Sequence, residues 1–524
     1  MQSPDRNRSP WMSYFLPDAQ PLDADARTDA CIVGAGIAGM TCAYLLAKKG
    51  KRVVVLDHGS IGGGMTSATT AHLSTALDDR YHEIERLHGA DGARLAAQSH
   101  AAAIEAIGAI VAHEKIDCDF ERLDGYLFLP PRGDADELLR EYEAALRAGI
   151  EGLEWVSAAP IDGFDTGPCL RFPRQAQFHP LKYLAGLTRA VRRLGGTIHC
   201  GTHVSEVHGG ERATVVTAGG HRVDCGAAVV ATNTPINDRV AIHTKQAPYT
   251  TYVIAARVPR GTVEKALYWD TLDAYHYARL KDPQGELLIV GGEDHKTAQS
   301  DDAERRFANL ELWMRTRWPA AREVLHRWSG QVMEPIDYLA YIGRDPSQEN
   351  VYIATGDSGN GMTHGTIAGL IITDLIHGVA VPWASLYDPA RITVKAARNF
   401  ARETANMAWQ YTAWVKPGDI DSVEQIRPGS GAVLRRGVHK LAIYRDAQGE
   451  LHEMSARCTH LGCIVKWNET QGSWDCPCHG SRFDATGQVL GGPAVEPLTP
   501  VEDPKVPRIA PHLPFVERRA RPRA

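Results

Sequence analysis

Residues 29–57 read DACIVGAGIAGMTCAYLLAKKGKRVVVLD, and no other stretch restricts the fold so tightly. A short apolar strand runs into Gly34, Gly36 and Gly39 in G-x-G-x-x-G spacing, an alanine-rich helix follows, and a second apolar strand ends at Asp57. Each glycine has its own physical reason. Gly34 permits a tight turn, Gly36 lets the backbone approach a diphosphate, and Gly39 lets helix and strand pack closely. The helix start then directs N–H groups and the positive end of its dipole at the anion. Asp57 stands where a carboxylate can accept hydrogen bonds from ribose hydroxyls. Strand, turn, helix, strand and terminal acid together predict a Rossmann-like α/β sheet with a nucleotide at Gly34, Ala35, Gly36, Ile37, Ala38, Gly39 and Asp57.

That spacing alone suits FAD or NAD. A flavin reductase fed by NAD(P)H normally carries two such sites, and no second G-x-G-x-x-G follows. A single site ahead of long α+β segments favours FAD. Four further stretches occur in order: GGGMTSATTAHLSTALD (62–78), FHPLKYLAGLTRAVRRLGGTIHCGTHVSEV (178–207), AAVVATNTPI (227–236) and VYIATGDSGNGMTHGTIAGLIITDLIHG (351–378). With these the chain resembles the D-amino-acid oxidase family of FAD-dependent oxidoreductases, in particular its glycine, sarcosine and γ-glutamylputrescine oxidase branch. The resemblance implies an FAD-binding domain with an interleaved α+β substrate part. It places Thr66, Ser67, Thr70, Ala71 and His72 beside the cofactor, and Val204 at the adenine. Ala231 and Thr232 then lie beneath the nucleotide, and Gly356, Asn360, Gly361, Met362 and Thr363 near the flavin ring. The last helix would point its N-terminal dipole at the ring's pyrimidine edge and stabilise negative charge there.

The chain departs from that family at the substrate end. Where glycine-oxidase-like members have an arginine before a proline to clamp a carboxylate, GQVMEPIDYLAYIGRD has Glu334, and no arginine follows until Arg344. An acid there would suit an amine cation. His72 is a candidate for accepting a proton near neutrality or for orienting substrate. Tyr249 and Tyr252, three positions apart on an expected strand, are candidates to line a pocket with hydroxyls. The expected catalytic set is His72, Tyr252 and Glu334.

Near the other end, CTHLGCIVKWNETQGSWDCPCHGS (458–481) packs four cysteines and two histidines into a short stretch. Cys458-x-His460 and Cys476-x-x-His479 each offer one thiolate and one imidazole. On residue type alone a Cys₂His₂ zinc site stays open, although C-x-H is tight for a zinc-finger pair. The spacing matches a Rieske [2Fe–2S] cluster, two thiolates on one iron and two imidazoles on the other. The short strands around it suit a small all-β domain. The stretch also resembles the Rieske proteins of cytochrome bc₁ and b₆f complexes, which implies a Cys463–Cys478 disulfide joining the two loops. By the same resemblance Ser481 would bond a bridging sulfide, and GGPA (491–494) would cover the cluster. Phe483 replaces a tyrosine of the respiratory pattern, so the expected potential lies within roughly −150 to +300 mV but below the respiratory proteins.

The chain has 524 residues, 44% hydrophobic and 23% charged, so two or three folded domains are expected. The expected boundaries are an N-terminal extension 1–27, the flavin domain 28–390, a helical linker 391–424, the Rieske domain 425–515 and a basic tail 516–524. Within the linker, apolar or large residues at 400, 404, 407, 411 and 414 predict an amphipathic helix packed on the flavin domain. A net charge of −6 argues against a nucleic-acid partner. No uninterrupted apolar run reaches the length of a membrane-spanning helix, and the N-terminus lacks an apolar leader. Six scattered cysteines among apolar neighbours point to buried thiols and a cytoplasmic location.

These readings predict an enzyme that oxidises the C–N bond of a small amine or amino acid by hydride transfer to FAD. Its electrons would then pass singly through the cluster to an external acceptor. The alternatives are an oxygen-using amine oxidase with a structural Rieske domain, and an electron-transfer or redox-sensing flavo-iron-sulfur protein.

Overall fold

The computed structural model describes residues 5–131, 133–237, 242–281 and 284–501. The expected tail 516–524 and the end of the expected Rieske domain, 502–515, lie outside the described residues. The nucleotide motif folds as its spacing dictates. Strand Ala26–Val33 turns at Gly34 (φ 110°) into helix Ile37–Lys48 and returns as Val53–Leu56, parallel to the first strand with Val33 opposite Leu56. A Cβ on Gly34 would lie 2.3 Å from the Ala231 carbonyl, and one on Gly39 only 1.9 Å from the Gly34 carbonyl, so neither position admits a side chain.

These strands belong to a sheet ordered Tyr341–Arg344, Val351–Thr355, Arg222–Val230, Ala26–Val33, Val53–Leu56, Thr197–His199, with Ala213–Thr217 and Val204–His208 paired off its side. Its central strands become continuously apolar toward their C-terminal ends, as in 30–33 and 227–230, because both faces are covered there. Helix Gly361–Ile376 lies along Ile37–Lys48, and the contact is tight because glycines form it. A Cβ on Gly365 would sit 2.7 Å from Ile37, and one on Gly369 2.5 Å from Thr41.

The second, mixed sheet runs through Val324–Pro335, Gln246–Arg257, Leu287–Lys296, His276–Leu280, Leu267–Asp270, Glu121–Phe128 and Cys169–Gln177. Its two faces sort the side chains of strand Gln246–Arg257 by alternation. Val253 and Ala255 join the core shared with the nucleotide sheet, whereas Tyr252, Ile254 and Ala256 pack beneath helix Ala303–Arg317. Among the described residues one helix, Tyr81–Glu114, kinked at Gly89, is long and apolar enough by composition to cross a membrane. Its Ile84, Ile104 and Ile107 are buried in the flavin-domain core, and it packs against Gly361–Ile376.

The C-terminal domain consists of two small antiparallel sheets, Ser430–Arg436, His439–Arg445, Leu451–Ser455 and Lys466–Asn468, Ser473–Asp475, Arg482–Asp484, Val489–Gly491. Its core holds Cys458, Cys463, Cys476 and Cys478 among Trp474, Phe483 and Ile464. Helix Ala397–Gln410 joins the two bodies.

Arg391, the first residue of the expected linker, packs on the flavin body. Arg391 gives its guanidinium to both carboxylate oxygens of Asp337 and to the Ala340 carbonyl, and stacks 3.9 Å over the Tyr341 ring. Within the expected N-terminal extension, Trp11 is fully buried and its Nε1 donates to the Thr69 carbonyl. Removing one partner of a buried ion pair strands the other. Asp337→Ala is therefore expected to cost about 3–5 kcal/mol, measured as a lower urea midpoint for the flavin body while the C-terminal domain keeps its own.

Candidate functional site

A cavity of about 280 Å³ runs along the C-terminal ends of the nucleotide-sheet strands and under the mixed sheet. Gly34, Gly36, Ile37, Ala38, Asp57 and Val204 line one end. Thr66, Thr70, His72, Ala231, Thr232, Gly356, Asn360, Gly361 and Met362 continue the wall. Five sequence candidates stand behind it. The Ala35 N–H donates to Asp57 Oδ2 at 2.6 Å, which holds the acid at the strand tip. Gly39 is spent on packing. Ser67 donates from Oγ to the Gly64 carbonyl, and Ala71, at φ 59°, offers its carbonyl to Arg279. Thr363 Oγ1 lies 2.9 Å from His100 Nδ1.

The wall opposite the glycine turn carries Asp78, Thr251, Trp269, Tyr275, Tyr277 and Asp294. Tyr275 donates its hydroxyl to Asp78 Oδ2, and the Thr251 and Tyr277 hydroxyls are 3.1 Å apart. Burial pushes the Asp78 carboxyl up to about 6 and the Asp294 carboxyl up to about 7. Both therefore change charge close to neutrality. Short spacings could have signalled the tyrosine pair, since Tyr275 and Tyr277 alternate in AYHYARL. Asp78 closes the very loop that resembles the flavin-contacting segment.

The structure divides the expected catalytic set, with His72 on the cavity wall and Tyr252 and Glu334 off it. His72 lines the cavity, but burial and then the Arg279 guanidinium hold its imidazole down to about 3. It accepts no proton near neutrality. Its Nε2 faces the Ala278 carbonyl at 3.4 Å and its Nδ1 the Thr70 hydroxyl at 3.1 Å, which suits a neutral ring that orients. Tyr252 is absent from the wall, because strand alternation sends its ring to the other face, stacked on His295 with Phe307 at its edge. Thr251 takes the cavity side, and Tyr249 does not line it either. Glu334 lies behind the wall. Ser358 Oγ sits 2.9 Å from it and 2.7 Å from Asp79 Oδ2, and burial followed by the Asp79 charge pushes the Glu334 carboxyl well up, so it keeps its proton. Arg344 lies apart, against Tyr352 and the Leu375 carbonyl.

In the C-terminal domain, loop residues Cys458, His460, Cys476 and His479 converge. The imidazoles of His460 and His479 are 5.0 Å apart between ring centres. Cys458 is held below its usual range chiefly by a hydrogen bond from Cys476, with help from the His460 N–H and the Ser481 hydroxyl. Burial, then the neighbouring His460 and His243, hold His479 down to about 3, so it is neutral as a metal-bound imidazole must be. Two thiols and two imidazoles in this arrangement suit a mixed-ligand [2Fe–2S] cluster. Cys463 and Cys478 are joined as a disulfide between the two loops. The Ala494 N–H donates to Ser481 Oγ, which ties the GGPA loop to the site.

Sequence reading missed His243. This flavin-body residue is buried against the cluster ligands, its ring 5.0 Å from His460 and 6.0 Å from His479. It sits in a turn, His243–Lys245, just before the mixed-sheet strand, and no local pattern marks it. Gln331 was missed for the same reason. It lines the cavity and donates from Nε2 to the carbonyl of Gly480, the residue after His479.

Residues 29–375 match the family model "FAD dependent oxidoreductase", and residues 416–505 match "Rieske [2Fe-2S] domain". The chain is 31% identical over 494 residues to YhfW of Bacillus subtilis (strain 168), a protein named for a Rieske 2Fe-2S centre, covering 94% of this chain and 96% of that one. It is 28% identical over 381 residues to gamma-glutamylputrescine oxidoreductase of Escherichia coli (strain K12), covering 68% of this chain and 86% of the relative. Among solved structures, glycine oxidase from Geobacillus kaustophilus superposes with a TM-score of 0.61 at 20% identity, over 70% of this chain and 99% of that one.

Loss of one thiolate should empty the cluster site alone. In purified Cys476→Ser protein, iron and acid-labile sulfide are expected to fall to background while bound flavin persists, as read by metal analysis and flavin absorbance.

Proposed function

Because the chain belongs to the FAD dependent oxidoreductase family and carries a Rieske [2Fe-2S] domain, we propose that it oxidises the C–N bond of a small amine or amino acid by hydride transfer to FAD and delivers the electrons singly through the cluster to an external acceptor. FAD supplies two-electron acceptance from a C–H donor, and the cluster supplies one-electron transfer. The chain's own residues do the rest. Asp78 and Asp294 present carboxylates to the cavity, and among the described wall residues the flavin body contributes no lysine or arginine. That wall suits a cationic amine better than a free carboxylate. The gamma-glutamylputrescine oxidoreductase relative supports an amine substrate. Trp269, Tyr275 and Tyr277 offer apolar area with hydroxyl tips for the rest of the molecule.

The observation that carries the relay is Gln331. A single side chain spans from the cavity wall to the backbone that follows a cluster ligand, and His243 closes a second contact to both cluster imidazoles. That approach puts the cluster loop one side chain from the cavity wall, which supports the relay.

Anaerobic mixing with a panel of amines and amino acids, followed in a stopped-flow spectrometer, tests the relay. Flavin bleaching is expected to be followed by loss of the oxidised-cluster bands. A cluster that stays oxidised through complete flavin reduction would sink the proposal. Gln331→Ala is expected to slow the second phase and leave the first intact.

The same experiment has a pH signature. As pH rises through about 6 to 7, Asp78 and Asp294 ionise and attract a cation, so the apparent dissociation constant of an amine should fall by about tenfold between about pH 6 and pH 8. Asp294→Asn should flatten that dependence.

A further inference from the structure

The cavity assigned to FAD is not enclosed by the flavin body alone. Arg482, Leu490, Gly491, Gly492 and Ala494 of the C-terminal domain also line it. We propose that the C-terminal domain is part of the FAD site, walling its adenosine end, so that FAD enters or leaves only when this domain lifts away.

Three observations converge on that end. His58, which follows Asp57, has its Nε2 3.0 Å from the Leu490 carbonyl. His203, which precedes Val204, has its Nε2 2.7 Å from the Val495 carbonyl. The two residues expected to contact ribose and adenine are thus each adjacent in sequence to a latch on the C-terminal loop. Between the latches Gly492 lies against the strand end beneath the nucleotide: a Cβ there would stand 3.0 Å from Ile236 Cγ2 and 3.2 Å from the Thr234 carbonyl. The loop is seated so closely that a side chain at 492 would press on both neighbours.

The C-terminal domain also changes the cavity's electrostatics. Arg482 is the one arginine or lysine among the described wall residues, and it is buried, with Nε 3.3 Å from Asp475 Oδ1. A guanidinium on this wall complements a cofactor that carries a diphosphate. The C-terminal domain therefore contributes both the cover and the one permanent cation among the described wall residues.

One pose serves two purposes. The docking that seats residues 489–494 on the adenosine end also brings His460 and His479 against His243 and the Gly480 carbonyl onto Gln331. FAD retention and cluster contact should consequently be lost together. Retention by a cover of this kind acts on the dissociation rate.

The test uses the full-length holoprotein with Ile236→Cys and Gly492→Cys, positions close enough for a disulfide. FAD release into bromide-containing buffer is followed by the return of free-FAD fluorescence, and the cross-link is confirmed by peptide mass. The oxidised form is expected to release FAD at least about tenfold more slowly than the same protein left unoxidised; equal rates would overturn the proposal. As a second arm, Gly492→Phe wedges the loop off its seat. It should speed release by about tenfold relative to the unsubstituted protein, and unchanged release with full iron content would count equally against the idea. Neither readout depends on turnover, so failure here leaves the relay standing, and failure of the relay leaves the cover standing.

Discussion

The contact between the Gln331 amide and the Gly480 carbonyl sets how two independently packed bodies meet. Each body has its own core, the flavin body around two large sheets and the C-terminal domain around its cysteine loops. A covalent tether alone raises the effective concentration of one site at the other. It does not aim them. Aiming comes from close approach of backbone, and glycine makes that possible. A Cβ on Gly480, whose φ is 79°, would lie 2.8 Å from Gln331 Nε2 and 2.9 Å from Pro248. Gly492 plays the same part at the other end of the interface. Gln471 adds a bond to Ser329 across the same seam.

The acids of the cavity carry a cost that the fold accepts in one place. Asp78, Asp79, Asp294, Glu334 and Asp357 are all shifted up by burial. The arrangement divides them by depth. Glu334 and Asp79 share Ser358 behind the wall and keep a proton between them, which spares the body a second buried negative charge. Asp78 and Asp294 reach the cavity, where a cationic ligand can offset their charge. Carboxylates of this kind contribute stability while protonated, present below their unfolded range and lost as pH rises through about 6 to 7. A bound cation would reverse that loss, so the charge that destabilises the empty pocket selects what fills it.

How much of this was legible follows from how local each signal is. Gly34, Gly36, Gly39 and Asp57 could be read because turn, helix and strand lie within one short stretch and each glycine answers a steric demand set by near neighbours. The four cluster residues could be read for the same reason, as could the β-rich domain around them. The substrate end could not, because its residues come from four separate strands and the loop that carries Asp78. Tyr252 was placed at the pocket although it stands three positions from Tyr249, a spacing that regular alternation splits between faces, and alternation alone does not say which face meets the cavity. A register shift beside Thr250 and Tyr252 obscures it further. The low affinity of His72 for a proton comes from burial and then from Arg279, which lies far along the chain, and the packing of Arg391 on the flavin body depends on Asp337.

The linking helix completes the mechanical argument. Helix Ala397–Gln410 has no fully buried residue, which in isolation would describe a loose connector. It is fastened at both ends instead. Asn399 donates to the Ile336 carbonyl, and Glu403 pairs with Lys296 on the flavin body. Just beyond the helix, the Tyr411 hydroxyl donates to the Leu461 carbonyl and Trp414 Nε1 to the Gly462 carbonyl, both in the first cluster loop. A short helix pinned to each body acts as a strut, so the C-terminal domain cannot swing freely while these bonds hold. The cluster's imidazole side then stays turned toward the flavin body, with His479 buried and His243 over it. An arrangement of that kind holds the cluster loops at one seat on the flavin body for as long as both ends of the strut stay fastened.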